Sequence, residues 1–305
     1  MKKVSAGFLM SLLALIGCAQ PKEKEAANNN TLLWRISGNG LAKPSYLYGT
    51  IHMLCADDAM LSDNMRNVIH KADEVYFEVD LDNLFEMFTV MSKMKMKGDT
   101  TLKDLLSEAD YEKVKGYFEG KSSMLPFSTL ETFKPILALS TVQEKSMQCE
   151  NMAMMEAVIM GEAKKSDKKI KGMETMAYQA GVLDSIPYKL QAEQLVSYID
   201  NIGKNSDEDK ELNEMMSAYM SQDLQRLEDL MKKTDMGIGN FTEVLLYNRN
   251  RNWVAKMKDI LPGKTLLIAV GAGHLPGDQG VISLLRKAGY VLTPLENKIN
   301  RSKEI

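Results

Sequence analysis

The chain has 305 residues, 26% of them charged, and a formal net charge of -3. A balance this near neutral, with only short basic clusters, argues against nucleic acid as a partner. Hydrophobic residues make up 45%, enough for a large buried core, and the three cysteines show no zinc-type spacing.

At the N-terminus Lys2 and Lys3 precede an apolar run from Phe8 to Ile16. It is too short to span a bilayer and is built like a secretion signal. The run ends Leu15-Ile16-Gly17-Cys18, which resembles the lipobox of bacterial lipoproteins. That resemblance makes Cys18 the lipid-bearing first residue of the mature chain, anchored through buried methylenes. Residues 1–17 then form a lipoprotein signal peptide and 18–30 a polar, flexible tether. One domain over 31–296 and a tail over 297–305 complete the chain. The expected address is the bacterial cell envelope, lipid-anchored and facing periplasm or surface. In such an oxidising compartment Cys55 and Cys149 either pair or stay as small buried hydrophobes; the sequence leaves both open.

Leu32 to Ile36 reads as a first strand and Ser45 to Tyr48 as a second, followed by Gly49-Thr50-Ile51-His52. Met60 to Lys71 is an amphipathic helix, and His70 near its C-terminal end reads as a structural or surface histidine. Val75 to Val79 is a third strand whose alternation puts Glu78 on the face opposite Val75, Phe77 and Val79. An acid inside a strand is costly unless paired or metal-bound, which marks Glu78 as functional. Residues 82–165 read as mostly helical and rich in methionine, which fills cores or lines adaptable grooves.

Lys169 to Thr175 reads as a short strand, a glycine and then Glu174 opening a helix. Three helices follow over about 188–202, 207–219 and 222–232, and a longer one over 241–260 carries Arg249, Asn250 and Trp253. Leu266 to Val270 is continuously apolar, a strand buried on both faces, and leads into Gly271-Ala272-Gly273-His274. There Gly271 and Gly273 let the backbone turn without steric penalty. A helix over 278–288 and a strand over 290–292 close the domain. Two of only three histidines thus follow apolar strands in a Gly-x-x-His pattern. In α/β sheets, ligands bind beyond the carboxyl ends of strands.

Familiar motifs fail. The third glycine of a dinucleotide loop would fall at Pro276, and no Lys-Ser or Lys-Thr pair completes a phosphate loop near Gly277. There is no His-Glu-x-x-His helix and no Gly-x-Ser-x-Gly elbow.

What remains is a scattered polar set: His52, Glu78, Glu174, Arg249, Asn250 and His274. With Gly49-Thr50-Ile51-His52, Gly172-Met173-Glu174-Thr175, Arg249-Asn250 before Trp253, and Gly271 to Leu275, the chain resembles the TraB/GumN family, which includes the Tiki proteases. The resemblance covers residues 31–295 or so. It implies an erythromycin-esterase/ChaN-like α/β fold with a largely parallel sheet, two related halves around a central cleft, and helical insertions. It also implies a metal-dependent peptidase working with manganese or cobalt.

The residue types support such chemistry independently. Two imidazoles and one or two carboxylates suit a divalent manganese, cobalt or zinc ion, which polarises a carbonyl and activates a water. His52, Glu78 and His274 are assigned to the metal and Glu174 to the base, although the two acids can exchange roles. Arg249 or Asn250 stabilises the oxyanion or grips a substrate carboxylate. The His52 and His274 rings are expected within roughly 4–7 Å of each other. A peptidase acting on flexible segments of extracytoplasmic peptides or proteins competes with a non-proteolytic hydrolase and with a non-catalytic lipoprotein that binds a metal, haem or peptide.

Overall fold

The apolar run at Leu266–Val270 becomes the middle of a six-stranded sheet, every one of its residues fully buried. The computed structural model describes residues 24–26, 29–120, 125–147, 149–202, 204, 207–233 and 241–299. The signal segment, Cys18 and most of the tether lie outside the described residues. The strands are β1 (Leu33–Gly38), β2 (Ser45–Thr50), β3 (Leu54–Cys55), β4 (Glu74–Phe77), β5 (Met152–Ala153), β6 (Lys169–Gly172), β7 (Leu266–Gly271) and β8 (Tyr290–Pro294). The large sheet has the order β6-β4-β7-β2-β1-β8, and β3 pairs with β5 in a separate ribbon. Pairs β4–β6, β4–β7 and β2–β7 are parallel, whereas β1 is antiparallel to β2 and to β8. The result is a mixed α/β architecture with a mostly parallel sheet. A parallel pair needs a long crossover, and helices supply it here.

Those helices are α1 (Asp63–Lys71), α2 (Leu84–Met94), α3 (Leu102–Leu105), α4 (Glu108–Glu119), α5 (Phe127–Leu130), α6 (Pro135–Ser146), α7 (Met155–Lys165), α8 (Met176–Val182), α9 (Tyr188–Asn201), α10 (Asp207–Met220), α11 (Leu224–Lys233), α12 (Asn248–Ile260) and α13 (Val281–Lys287). The helix expected from Met60 starts later because the Ser62 side chain accepts the Met65 N–H and caps it. The strand expected to reach Val79 ends at Phe77, so Glu78 lies just beyond it instead of inside it. The helix expected over 278–288 is shorter, since β7 leads first into a 3-10 turn at Ala272–His274.

Most of the core packs on the sheet. A second apolar cluster, including Leu102, Val114, Phe118, Leu139 and Leu195, joins α3 to α6 with α9 apart from it. The methionines divide: Met65, Met155 and Met257 are buried, while Met87, Met91 and Met154 are exposed. No helix among the described residues is long and apolar enough to cross a membrane.

Candidate functional site

Neighbouring parallel strands deliver the candidate residues to one end of the sheet. Along β6-β4-β7-β2, the chain continues past the carboxyl ends into Glu174, Glu78, His274 and His52 respectively. Gly49 of β2 faces Val270 of β7 and Thr50 faces Gly271, so the two Gly-x-x-His turns leave side by side. Close approach explains two glycines. A Cβ on Gly49 would meet Leu275 at 2.9 Å and Ala272 at 3.1 Å; one on Gly172 would meet the Asp80 backbone nitrogen at 2.6 Å. Gly271 likewise serves proximity and not an unusual φ, correcting the turn argument: its φ is -49, and its N–H donates to Glu78 Oε1 at 2.8 Å.

Arg249 occupies the centre. A π-helical turn at Glu243–Tyr247 precedes α12, a distortion that is frequent at functional sites. The Arg249 guanidinium donates from Nε and NH2 to Glu174 Oε1 at 2.9 and 2.7 Å, and from NH2 to Glu78 Oε2 at 2.6 Å. NH1 donates to the Leu245 carbonyl at 2.9 Å and lies 3.2 Å from His274 Nε2. These bonds engage all the donors a guanidinium possesses. Trp253 completes the frame. Its indole N–H donates to Glu174 Oε2 at 3.0 Å, and its ring lies 4.5 Å from that of His274 and under Arg249.

Asn250 sets the state of His274. Its amide nitrogen donates to the carbonyl of Gln279 at 2.8 Å, so its Oδ1 is left to accept from His274 Nδ1 at 2.6 Å. With the proton on Nδ1, the Nε2 lone pair faces Arg249 and lies 3.8 Å from Glu78 Oε1. Burial pushes the ring to a pKa of about 3; Glu78 pulls it up, while Arg249 and His52 push it down. Burial alone would raise the Glu78 carboxyl, but the surrounding His274, Arg249 and His52 hold it at about 2. Since His274 is neutral at pH 7, Arg249 is the charge that balances Glu78. Burial raises Glu174, against the opposing pull of Arg249.

His52 differs from His274. Its side chain is 65% exposed, and its Nδ1 lies 2.9 Å from Glu156 Oε1. That hydrogen bond, opposed by partial burial, lifts its pKa to about 9. The charges of Glu78 and Arg249 also bear on it, which puts His52 within electrostatic reach of the central cluster. His70 instead pairs with Glu162 at 3.0 Å, near the end of α1. Cys55 and Cys149 form a disulfide, resolving the alternatives left open by the sequence.

Sequence reasoning missed Glu156 and Gln179. Gln179 of α8 donates to Glu78 Oε2 at 2.8 Å. Glu156 sits in the first turn of α7, where an acid normally serves the helix dipole, so nothing in its sequence context set it apart.

The fold and the site together define an α/β protein with a buried acid–histidine–arginine cluster at the carboxyl ends of its parallel strands, where ligands bind in such sheets. The chain belongs to the TraB/PrgY/gumN family, whose pattern matches residues 32–294. It is 22% identical to metalloprotease TIKI1 of Xenopus tropicalis over 88% of this chain and 62% of that protein. Against metalloprotease TIKI1 of Homo sapiens the identity is 22%, over 93% and 65% of the two chains. A metalloprotease TIKI homolog of Amphimedon queenslandica is 21% identical, over 88% and 62%. The chain thus spans a little under two thirds of the length of these relatives. No solved structure matches it.

The relatives' names imply a metal, and the imidazole and carboxylate donors here are of a kind that suits one. His274 Nε2 lies 3.8 Å from a Glu78 oxygen, with its lone pair turned to Arg249 NH1, which an ion would have to displace, and both Nδ1 atoms, of His274 and His52, are held by side-chain oxygens. Such outer bonds orient metal-binding histidines. Among the described residues, no group of three or more His, Cys, Asp or Glu side chains is gathered closely enough to hold an ion as it stands.

Proposed function

We propose that this chain is an envelope-located, metal-dependent hydrolase, a peptidase acting on flexible segments of extracytoplasmic peptides or proteins. The carrying observation is the delivery of Glu174, Glu78, His274 and His52 by four neighbouring strands to one end of the sheet. Distant similarity to proteins named metalloproteases supports the choice of peptide bonds. An erythromycin-esterase/ChaN-like fold with two related halves belongs to the same proposal, as does the domain over 31–296.

His52, Glu78 and His274 would hold the ion, with manganese, cobalt and zinc as candidates. Bound there, the ion would polarise a carbonyl and lower the pKa of a water. The remaining work falls to the chain. Asn250 keeps the His274 proton on Nδ1, which leaves Nε2 free of its own proton. Arg249 holds Glu78 and Glu174 in place and keeps Glu78 ionised. Glu174 Oε2, which accepts from the Trp253 indole, takes the proton of the attacking water; burial raises its affinity for that proton. Glu174→Gln should then retain metal but lose turnover. Because the Arg249 donors and the Asn250 amide are engaged by the chain itself, both orient the cluster and do not grip substrate.

That saturation favours one competing reading, a non-catalytic lipoprotein that binds a metal, haem or peptide. Titration of the purified chain with manganese, cobalt or zinc, followed by peptide digestion, separates the two: binding without metal-dependent cleavage supports the binding protein. The membrane partner is proposed to be a lipid bilayer engaged through Cys18. Cys18→Ser should abolish lipid labelling and release the chain from the membrane fraction.

A further inference from the structure

The Glu156 carboxylate is 4% exposed, yet only one of its oxygens is satisfied. Oε1 accepts from the Thr50 hydroxyl at 2.7 Å and lies 2.9 Å from His52 Nδ1. Oε2 is buried with no hydrogen-bond partner. A carboxylate kept for folding alone would have both oxygens satisfied, because a buried lone acceptor is costly. What the acid contributes is a negative acceptor for one nitrogen of an imidazole that otherwise stands in solvent.

The backbone around this pair is built to hold it. The two residues are 104 positions apart in sequence (156 − 52), but their loops are joined. Leu54 pairs with Ala153 and Cys55 with Met152 in the β3–β5 ribbon. The Met155 N–H donates to the Ile51 carbonyl, and the Ala56 N–H to that of Asn151. The Cys55–Cys149 disulfide closes the same ribbon. The turn carrying His52 and the first turn of α7 are therefore fixed against each other independently of the His52–Glu156 bond.

From this geometry we infer that Glu156 is a positioning residue: it holds a proton of His52 on Nδ1 and so leaves Nε2 as the working nitrogen. Thr50 fixes the Glu156 oxygen that does this, and it belongs to the same strand end that releases His52. The Nδ1 end resembles that of His274, where Asn250 Oδ1 accepts from Nδ1, although Nε2 there faces Arg249 NH1 at 3.2 Å. In both histidines Nδ1 is thus held by a side-chain oxygen, one charged and one neutral. Carboxylates set behind histidines in this way fix both tautomer and ring direction. The inference deepens the proposed hydrolase reading and rests on it for the functional role of Nε2, while the hold on the ring is independent of it.

The test is histidine side-chain nitrogen NMR on the metal-free full chain, beside steady-state kinetics. With three histidines, single substitutions assign every ring. The wild type should show a His52 proton on Nδ1, protected from solvent exchange, both when the ring is charged and when it is neutral. Glu156→Ala should lose that protected proton and move the neutral ring toward the Nε2–H form; the His274 signals should not change. Turnover should fall about 10–100-fold, with KM changed far less. Glu156→Gln keeps the shape and an acceptor oxygen, so it should restore part of both signals, which packing alone would not do; it also serves should the alanine variant not fold. An unprotonated Nδ1 in the wild type, or identical His52 spectra with and without Glu156, would overturn the inference. Unchanged kcat in a Glu156→Ala chain that shows the altered ring would overturn the functional role. If the spectra behave as expected and the wild type cleaves nothing, the hold on His52 is supported and the peptidase reading is the one that fails.

Discussion

Arg249 NH2 stands 2.6 Å from Glu78 Oε2, with both side chains less than a tenth exposed. Because the same nitrogen also reaches Glu174, one guanidinium bridges two acids that follow different strands. Arg249→Met should leave both carboxylates buried without a cation and destabilise the fold by about 3–5 kcal/mol. Arg249→Lys should fall between, because an ammonium lacks the planar fork that spans both acids. Urea denaturation of the three proteins measures this.

Trp253 contributes through its indole N–H to Glu174 as well as through its ring. Trp253→Phe keeps a ring against His274 and removes the donor. The expected cost is about 1–3 kcal/mol, that of an acceptor left unpaired in the interior. A far larger loss in Trp253→Leu than in Trp253→Phe would instead place the effect in packing.

The disulfide joins cysteines 94 residues apart and closes the ribbon that carries His52. Reduction, or paired Cys55→Ser and Cys149→Ser substitution, should lower stability by roughly 2–5 kcal/mol. It should also increase amide exchange over 51–56 and 149–155 ahead of the sheet. Uniform exchange throughout the chain would show that the bond does not act locally.

A pair remote from the cluster, a buried lysine with a half-buried aspartate, should contribute to acid sensitivity. Lys134, 1% exposed, lies 2.7 Å from Asp184. Burial raises the Asp184 carboxyl, but Lys134, Tyr188 and Lys97 together hold it below its usual value. A depressed carboxyl contributes stability above its unfolded pKa and loses it as the pH falls through the folded one. Stability should therefore decline on the acid side of the ordinary aspartate range. Asp184→Asn should flatten that part of the curve and cost about 3–5 kcal/mol at neutral pH by stranding Lys134. Chemical denaturation at a series of pH values gives both readings.

Strands were legible where apolar runs end in turn residues: β2 and β7 were visible, and so was the paired departure of His52 and His274 from their ends. The different fates of the two rings were not legible. His274 is buried between Asn250 and Arg249, whereas His52 is open and tied to Glu156, and both partners arrive from remote helices. Arg249 was conspicuous in its helix, but the saturation of its donors depends on the π-helical turn and on strand order, which no local pattern encodes. Glu78 was singled out for the right physical reason, a buried acid needing a partner, although it lies past the strand and not within it. The order β6-β4-β7-β2 depends on long-range pairing, so the gathering of these residues at one end of the sheet is visible in the sequence only as a coincidence of motifs.

Cleavage of an unbiased peptide library, read by mass spectrometry, addresses the hydrolase reading directly. Wild type, chelated wild type and His274→Ala should be run side by side, each first shown to be folded, with metal content measured. The expected result is a set of cuts in flexible peptides made by the metal-loaded wild type, lost on chelation, restored by the ion, and missing from His274→Ala. Folded, metal-loaded wild type that cuts no more than His274→Ala would contradict it.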